Sequence, residues 1–148
     1  SVIPLFLKNK SNVYNVTDPE MTRFCITLEE SVNAALWTIK NAKGGEIVIP
    51  KVPSYKILDL VKAINNKAKI KITGIRPGEK LYEELISNND NSNSFDLGKY
   101  FIVKDKEISN FKRYKKNPKN FSYNSKNNIE FYSVDKLRKI VSNTIQDG

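Results

Sequence analysis

The strongest constraint on what this chain can fold into is a capped amphipathic helix that gives way, across a double glycine, to a short β-branched run. Thr27-Leu28-Glu29-Glu30 is a capping box: the Thr27 hydroxyl can accept from the amide of Glu30 while the Glu30 carboxylate reaches back. The helix it opens places Leu28, Val32, Ala35, Leu36 and Ile39 on one stripe, and Gly44-Gly45 stops it. Glu46–Pro50 (EIVIP) then has the short, apolar character of a buried strand.

The same alternation runs along the rest of the sequence. Ser1 is a suitable N-cap for a short helix to about Lys8, with Pro4 tolerated in its first turn. Residues 13–17 (VYNVT) read as a strand, closed by the turn signal Asp18-Pro19. After Pro53, Ser54 is expected to cap a second helix whose apolar face is Ile57, Leu60, Val61 and Ile64. Residues 69–73 alternate lysine and apolar side chains as a half-exposed strand does, and Gly74 ends it. A third helix is expected over residues 79–86, a polar loop over 87–94 and an edge strand over 100–103. A last helix begins after Ser133, with Val134, Leu137, Ile140 and Val141 facing inward.

Alternating strands and helices argue an α/β fold. Strands are few for so many helices, however, and the first helix follows no strand, which is the pattern of a piece cut from a longer α/β chain. Strand Glu46–Pro50 is then expected to pair largely with a sheet supplied by other polypeptide, leaving an unpaired edge and exposed apolar surface. The organisation expected is a binding part over residues 1–103, a basic connection over 104–119, and a C-terminal segment over 120–148 that ends in a helix.

Composition removes most familiar chemistries. There is no His and only one Cys, Cys25, in 148 residues. Ser-His triads, His acid–base catalysis, zinc centres and an internal disulfide framework are therefore excluded. Cys25, between Phe24 and Ile26, reads as a packed small hydrophobe. No stretch reaches the roughly 20 apolar residues of a membrane span. The apolar opening, residues 1–8, lacks the basic leader and cleavage site of a secretory signal, so a cytoplasmic, soluble chain is the default.

The net charge of +9 raises nucleic-acid binding as an alternative. The basic residues are 21 Lys against 4 Arg, beside 18 Asn, a compositional bias more than a selection for phosphate forks. Residues 104–119 are the densest stretch, with seven basic and two acidic side chains, and Phe111, Tyr114 and Phe121 lie in or beside it. A solvated connection is the simpler reading of that stretch; a stacking platform for single strands is the weaker one.

Two short constellations stand out because they hold two of the four arginines. Met21-Thr22-Arg23-Phe24 precedes the capped helix, and Arg76-Pro77-Gly78-Glu79-Lys80 follows a strand. An arginine at such a junction can present a bidentate fork to a phosphate, beside free amides. Pro77 fixes the turn, Gly78 frees the backbone, and Glu79, an acceptor when ionised, suits a pair of sugar hydroxyls. Two arginines and one carboxylate match a diphosphate joined to a ribose. A plain surface ion pair between Arg76 and Glu79 is the competing reading. Neighbouring carboxylates such as Glu29 and Glu30, or Glu83 and Glu84, point apart on helices. Tyr55 and Tyr82 could act as acid–base groups only with depressed pKa values, and Tyr82 has Ile86, not lysine, four residues on. No G-x-x-G-x-x-G loop is present to cradle a dinucleotide pyrophosphate.

The ordered segments SVIPLF, TDPEMTRF, TLEE, GGEIVIPKVPSYKILDL, ITGIRPGEKLYEELIS and YNSKNN resemble the C-terminal part of bacterial nucleotide-sugar dehydratases. These belong to the polysaccharide-biosynthesis branch of the extended short-chain dehydrogenase/reductases, and the resemblance is strongest to the 5-inverting UDP-N-acetylglucosamine 4,6-dehydratases. It spans nearly the whole chain; only residues 104–119 carry little of it. It implies an NAD(P)-binding Rossmann-type fold whose N-terminal half, with the NADP site and the catalytic Tyr-x-x-x-Lys pair, lies outside this sequence. It further implies that Arg23 and Arg76 stand near the phosphates of a UDP-sugar, Glu79 near the uridine ribose, and the strand ending at Thr17 near the uracil. No catalytic, cofactor-binding or metal-binding residue is expected in this chain, which by itself should be inactive. The reaction implied for the whole enzyme is oxidation at C4 of the sugar, loss of water across C5 and C6, and return of hydride to C6, in a homo-oligomer. The same UDP contacts would serve a UDP-sugar C4 or C5 epimerase of this family, which stays open as the alternative.

Overall fold

The computed structural model describes residues 2–104 and 115–146. The dense part of the basic connection, with Phe111 and Tyr114, lies outside the described residues, as does the cap expected at Ser1. The chain is a mixed α/β structure with two hydrophobic cores.

The first core is built on two parallel strands. β1 (Val13–Val16) pairs with β5 (Lys69–Ile72), Val16 lying opposite Ile72. Val16 and Tyr14 turn inward, onto α1 (Val2–Leu7) and α3 (Ile57–Ile64). On α3 the expected face is buried: Ile57, Leu60 and Val61 are shut off from solvent and Ile64 packs against the cluster. They meet Leu137 and Val141 of α4 (Val134–Gln146), the last helix, which starts where the sequence places it. Cys25 belongs to the same core.

Ser54 does not cap α3. It lies in β4 (Ser54–Lys56), which pairs antiparallel with β2 (Thr22–Phe24), and α3 starts after Lys56 without a side-chain cap. The reason is tertiary: the Ser54 amide donates to the Glu130 carbonyl at 2.9 Å and its carbonyl accepts from the Tyr132 amide at 2.8 Å. Its hydroxyl, the would-be cap, accepts from Asn128 Nδ2 at 3.0 Å.

Nor is there a helix over residues 79–86. The segment runs extended into β6 (Glu84–Ile86), which pairs with β10 (Tyr123–Asn124). Its backbone is claimed by distant partners: the Leu81 carbonyl accepts from the Thr22 amide at 3.0 Å, and the Glu83 carbonyl from the Ser125 amide at 2.8 Å. The local helical pattern loses to these long-range pairings, and adjacent Glu83 and Glu84 are strand-side, not helical, residues.

The second core lies under an antiparallel sheet ordered β3-β8-β7-β9, with β3 at Glu46–Pro50, β7 at Ser94–Asp96, β8 at Tyr100–Lys104 and β9 at Lys115–Lys116. A 3-10 turn, Asp90–Asn93, leads into β7 in place of the end of the expected loop. Two expectations are corrected here. β3 has a partner, β8, within this chain, while its other edge is unpaired among the described residues and Ile47 is exposed, as expected; β8 is an interior strand, paired on both sides, instead of an edge. Ile49, Ile86, Phe101 and Tyr123 fill this core, with the Phe101 and Tyr123 rings 5.0 Å apart. With ten short strands and four α-helices among the described residues, strands are also more numerous than the sequence suggests.

α2 (Leu28–Asn41) forms with the capping box intact: Thr27 Oγ1 accepts from the Glu30 amide at 3.1 Å, and Glu30 Oε2 from the Thr27 amide at 2.8 Å. None of its residues is buried, and its apolar stripe faces outward, Leu28 being 82 % exposed and Ile39 81 %. α2 is held instead by Trp37, stacked on Tyr100 with ring centroids 4.5 Å apart. With so little packing, the box matters more. Thr27→Ala is expected to destabilise α2 by about 1 kcal/mol, read as faster amide exchange at its first turn; an unchanged exchange rate would show that the box contributes nothing.

Candidate functional site

β1 and β5 run parallel and release the chain at the same end, where ligands of parallel sheets gather. Thr17 leaves β1 there, and Thr73 leaves β5, its amide still donating to the Val16 carbonyl at 3.0 Å. Beyond Thr73 the chain turns through Gly74 and makes a tight turn at Arg76-Pro77-Gly78-Glu79, closed by the Glu79 amide on the Arg76 carbonyl at 3.0 Å. Proline at the second position and a glycine with φ of +82° at the third are the marks of a type II turn. Space around Gly78 is open, so the positive φ is what requires glycine.

The Glu79 carboxylate folds over its own turn. Oε2 accepts from the Arg76 amide at 3.3 Å, and Oε1 accepts from Thr17 Oγ1 at 3.0 Å, across 62 residues of sequence. The surface ion pair between Arg76 and Glu79 is not formed; among the described residues the exposed Arg76 guanidinium has no carboxylate partner.

Arg23 approaches from β2 and is far less free. Its side chain is 19 % exposed, Nε lies 3.3 Å from Glu83 Oε1, and Nη1 donates to the Thr22 carbonyl at 2.7 Å and the Leu81 carbonyl at 3.4 Å. The hydrogens of Nη2 have no partner among the described residues.

Thr17, Arg23, Arg76 and Glu79 all line one cleft of about 630 Å³, together with Thr73, Asn15 and apolar residues of α1. The four residues singled out in the sequence are thus brought to one place. A second cleft of about 570 Å³, mostly apolar, meets the first at Arg23 and Val2, and is lined by Phe24, Ile49, Tyr55 and Leu85 among others. Nothing in the sequence signals this second cleft, because its walls come from separate strands and loops.

Burial, with Cys25 and Glu83 adding, pushes the Tyr55 phenol well above its ordinary range despite the opposing pull of Arg23, so Tyr55 is a neutral phenol at physiological pH. Burial, then Glu30, likewise raises the Cys25 thiol. The Tyr-x-x-x-Lys spacing, expected only outside this sequence, does occur in it twice, Tyr100 with Lys104 and Tyr132 with Lys136. Tyr100 and Lys104 lie at opposite ends of β8, and Tyr100 is stacked on Trp37. Lys136 Nζ sits 5.7 Å over the Tyr132 ring, whose phenol burial and nearby Glu30 push up. Neither pair is an acid–base dyad.

The arrangement can hold an anion against two guanidinium groups, with a carboxylate beside them to accept hydroxyl protons. Among the described residues nothing fits a dinucleotide: the positive-φ glycines, at 44, 45, 74, 78 and 98, lie in turns that open no helix with a glycine-rich start.

The fold defines the class, a mixed α/β chain with a cleft at the ends of two parallel strands. The chain belongs to the polysaccharide biosynthesis protein family, whose pattern it matches over residues 1–105. It is 38% identical over 97% of its length to a UDP-N-acetylglucosamine 4,6-dehydratase (inverting) of Campylobacter jejuni, covering 47% of that protein. It is also 38% identical, over 70% of its length and 32% of the relative's, to a UDP-glucose 4-epimerase of Rickettsia canadensis. Among solved structures, Pen from Bacillus thuringiensis superposes with a TM-score of 0.80 at 31% identity, over 98% of this chain and 46% of that one. The chain therefore spans about half the length of the curated dehydratase it matches. Among the described residues no helix is long and apolar enough to cross a membrane.

Proposed function

We propose that this chain is the nucleotide-sugar-binding part of an NADP-dependent, inverting UDP-N-acetylglucosamine 4,6-dehydratase of the extended short-chain dehydrogenase type, serving surface glycan synthesis. The observation that carries the reading is the single cleft that gathers Thr17, Arg23, Arg76 and Glu79. The arginines take the diphosphate, Glu79 accepts from the ribose hydroxyls, and Thr17 orients Glu79 through its hydrogen bond. Residues 1–103 carry the cleft and 120–148 support it, with Lys115–Lys116 between them joining the sheet as β9. Since no residue set here fits NADP, the cofactor and the groups that move protons and hydride belong to another part of the enzyme, and this chain alone binds without turnover. Its stripe on α2 is the apolar surface such a part would cover.

The 38% identity to a UDP-glucose 4-epimerase favours a second reading, an epimerase built on the same UDP contacts. One experiment tests both. UDP is titrated calorimetrically into this chain, and the chain joined to a cofactor-binding half is given UDP-N-acetylglucosamine. UDP binding with a 4-keto-6-deoxy product is expected; a C4 stereoisomer selects the epimerase, and absence of UDP binding overturns both.

A further inference from the structure

Glu83 lines the second cleft beside Arg23, and its backbone is held from behind by Ser125. Ser125, fully buried, clamps residue 83 twice: its amide donates to the Glu83 carbonyl at 2.8 Å, and its Oγ accepts from the Glu83 amide at 3.0 Å. The same Oγ lies 2.9 Å from Thr22 Oγ1, whose residue precedes Arg23. Three chain segments far apart in sequence are thereby locked at one hydroxyl. The locked backbone delivers the Glu83 carboxylate to Arg23 Nε, at 3.3 Å, while the Thr22 and Leu81 carbonyls take Nη1. A guanidinium is planar, so fixing Nε and Nη1 fixes the third nitrogen as well. Nη2 is the nitrogen left without a partner among the described residues.

We infer that Glu83, held in place by Ser125, is a positioning residue that sets the Arg23 guanidinium for an anion in the cleft. This rests on the reading of the cleft as a diphosphate site. Glu83 orients Arg23 and balances its charge, so that the fork need not be ordered at the moment of binding. Through Ser125 the C-terminal segment becomes part of the binding apparatus, its hydroxyl reaching Thr22 across 103 residues of sequence.

The test compares UDP with uridine, which lacks the phosphates, by calorimetric titration into this chain. Glu83 is half exposed, so Glu83→Gln keeps the shape, removes the charge and does not threaten the core. Expected is a loss of UDP affinity of about five- to tenfold with uridine affinity unchanged, and recovery of most of the loss in Glu83→Asp. A purely structural role would weaken both ligands alike and overturns the inference. So does unchanged or tighter UDP binding in Glu83→Gln while Arg76→Ala still weakens it, and in that case the diphosphate reading stands. If Arg76→Ala and Glu83→Gln both leave UDP affinity untouched, the reading of the cleft fails and the inference fails with it.

Discussion

Leu60→Ala is expected to lower the stability of this chain by about 2–5 kcal/mol, whereas Leu36→Ala changes it by less than about 0.5 kcal/mol. Both are leucines on amphipathic helices with clean apolar stripes, so propensity alone would rank them equal. Leu60 has no exposed surface and stands where α3 meets α1, α4 and β1, so alanine there leaves a cavity the rigid surroundings cannot close. Leu36 is 60 % exposed on α2, and truncating it uncovers nothing new. Urea unfolding of the two variants reads the difference as a shift of midpoint at constant slope. Equal losses would mean that the α2 stripe is covered in solution, and the outward-facing reading of that helix would have to be given up.

That contrast also shows what a sequence can and cannot state. The stripes of α2, α3 and α4 are all legible, because helical spacing is a local property. Which stripe is buried is not local: α3 has β1 and α4 to lie against, whereas α2 lies beside β3 with only its single aromatic residue, Trp37, stacked on the body of the chain. Residues 79–86 carry a helical pattern as good as that of α1, yet they are extended, because Thr22 and Ser125 supply hydrogen-bond partners from either side. Ser54 fails as a cap for the same reason. Strands β6, β9 and β10 are two or three residues long and have no periodicity to read. Their existence depends on distant partners.

The site is more legible than the fold around it. Scarcity singles out Arg23 and Arg76 in a lysine-rich chain, and Pro77-Gly78 marks the turn that presents Glu79; each is a local signal. What joins them is not: the Thr17 bond to Glu79 spans 62 residues and depends on β1 and β5 being parallel neighbours. Glu83 reads as a helix-surface carboxylate only while a helix is expected there, and Ser125 is one letter in a matching segment. Residues that position others leave no mark on the sequence beyond ordinary polar letters.

Arg76→Ala is expected to weaken UDP binding about ten- to a hundredfold, the size of a lost charge-assisted contact worth about 1.5–3 kcal/mol. Arg76 is the better target of the two arginines because it has no internal duty: its guanidinium is exposed and unpaired among the described residues, and its backbone, which alanine retains, is what Glu79 holds. Thermal stability should therefore be unchanged. Arg23→Ala also weakens UDP, but it strands Glu83 and takes a donor from the Thr22 and Leu81 carbonyls, so its loss mixes binding with folding. Arg76→Lys separates charge from geometry, keeping a cation while losing the planar fork, and is expected to fall between wild type and alanine. Because the group is exposed, the gap between wild type and Arg76→Ala should narrow as salt rises and the screening length drops below about 8 Å. Uridine should bind all three forms alike. A wild-type affinity for UDP that survives Arg76→Ala at low salt would place the phosphates elsewhere, and with them the role assigned to this end of the parallel strands.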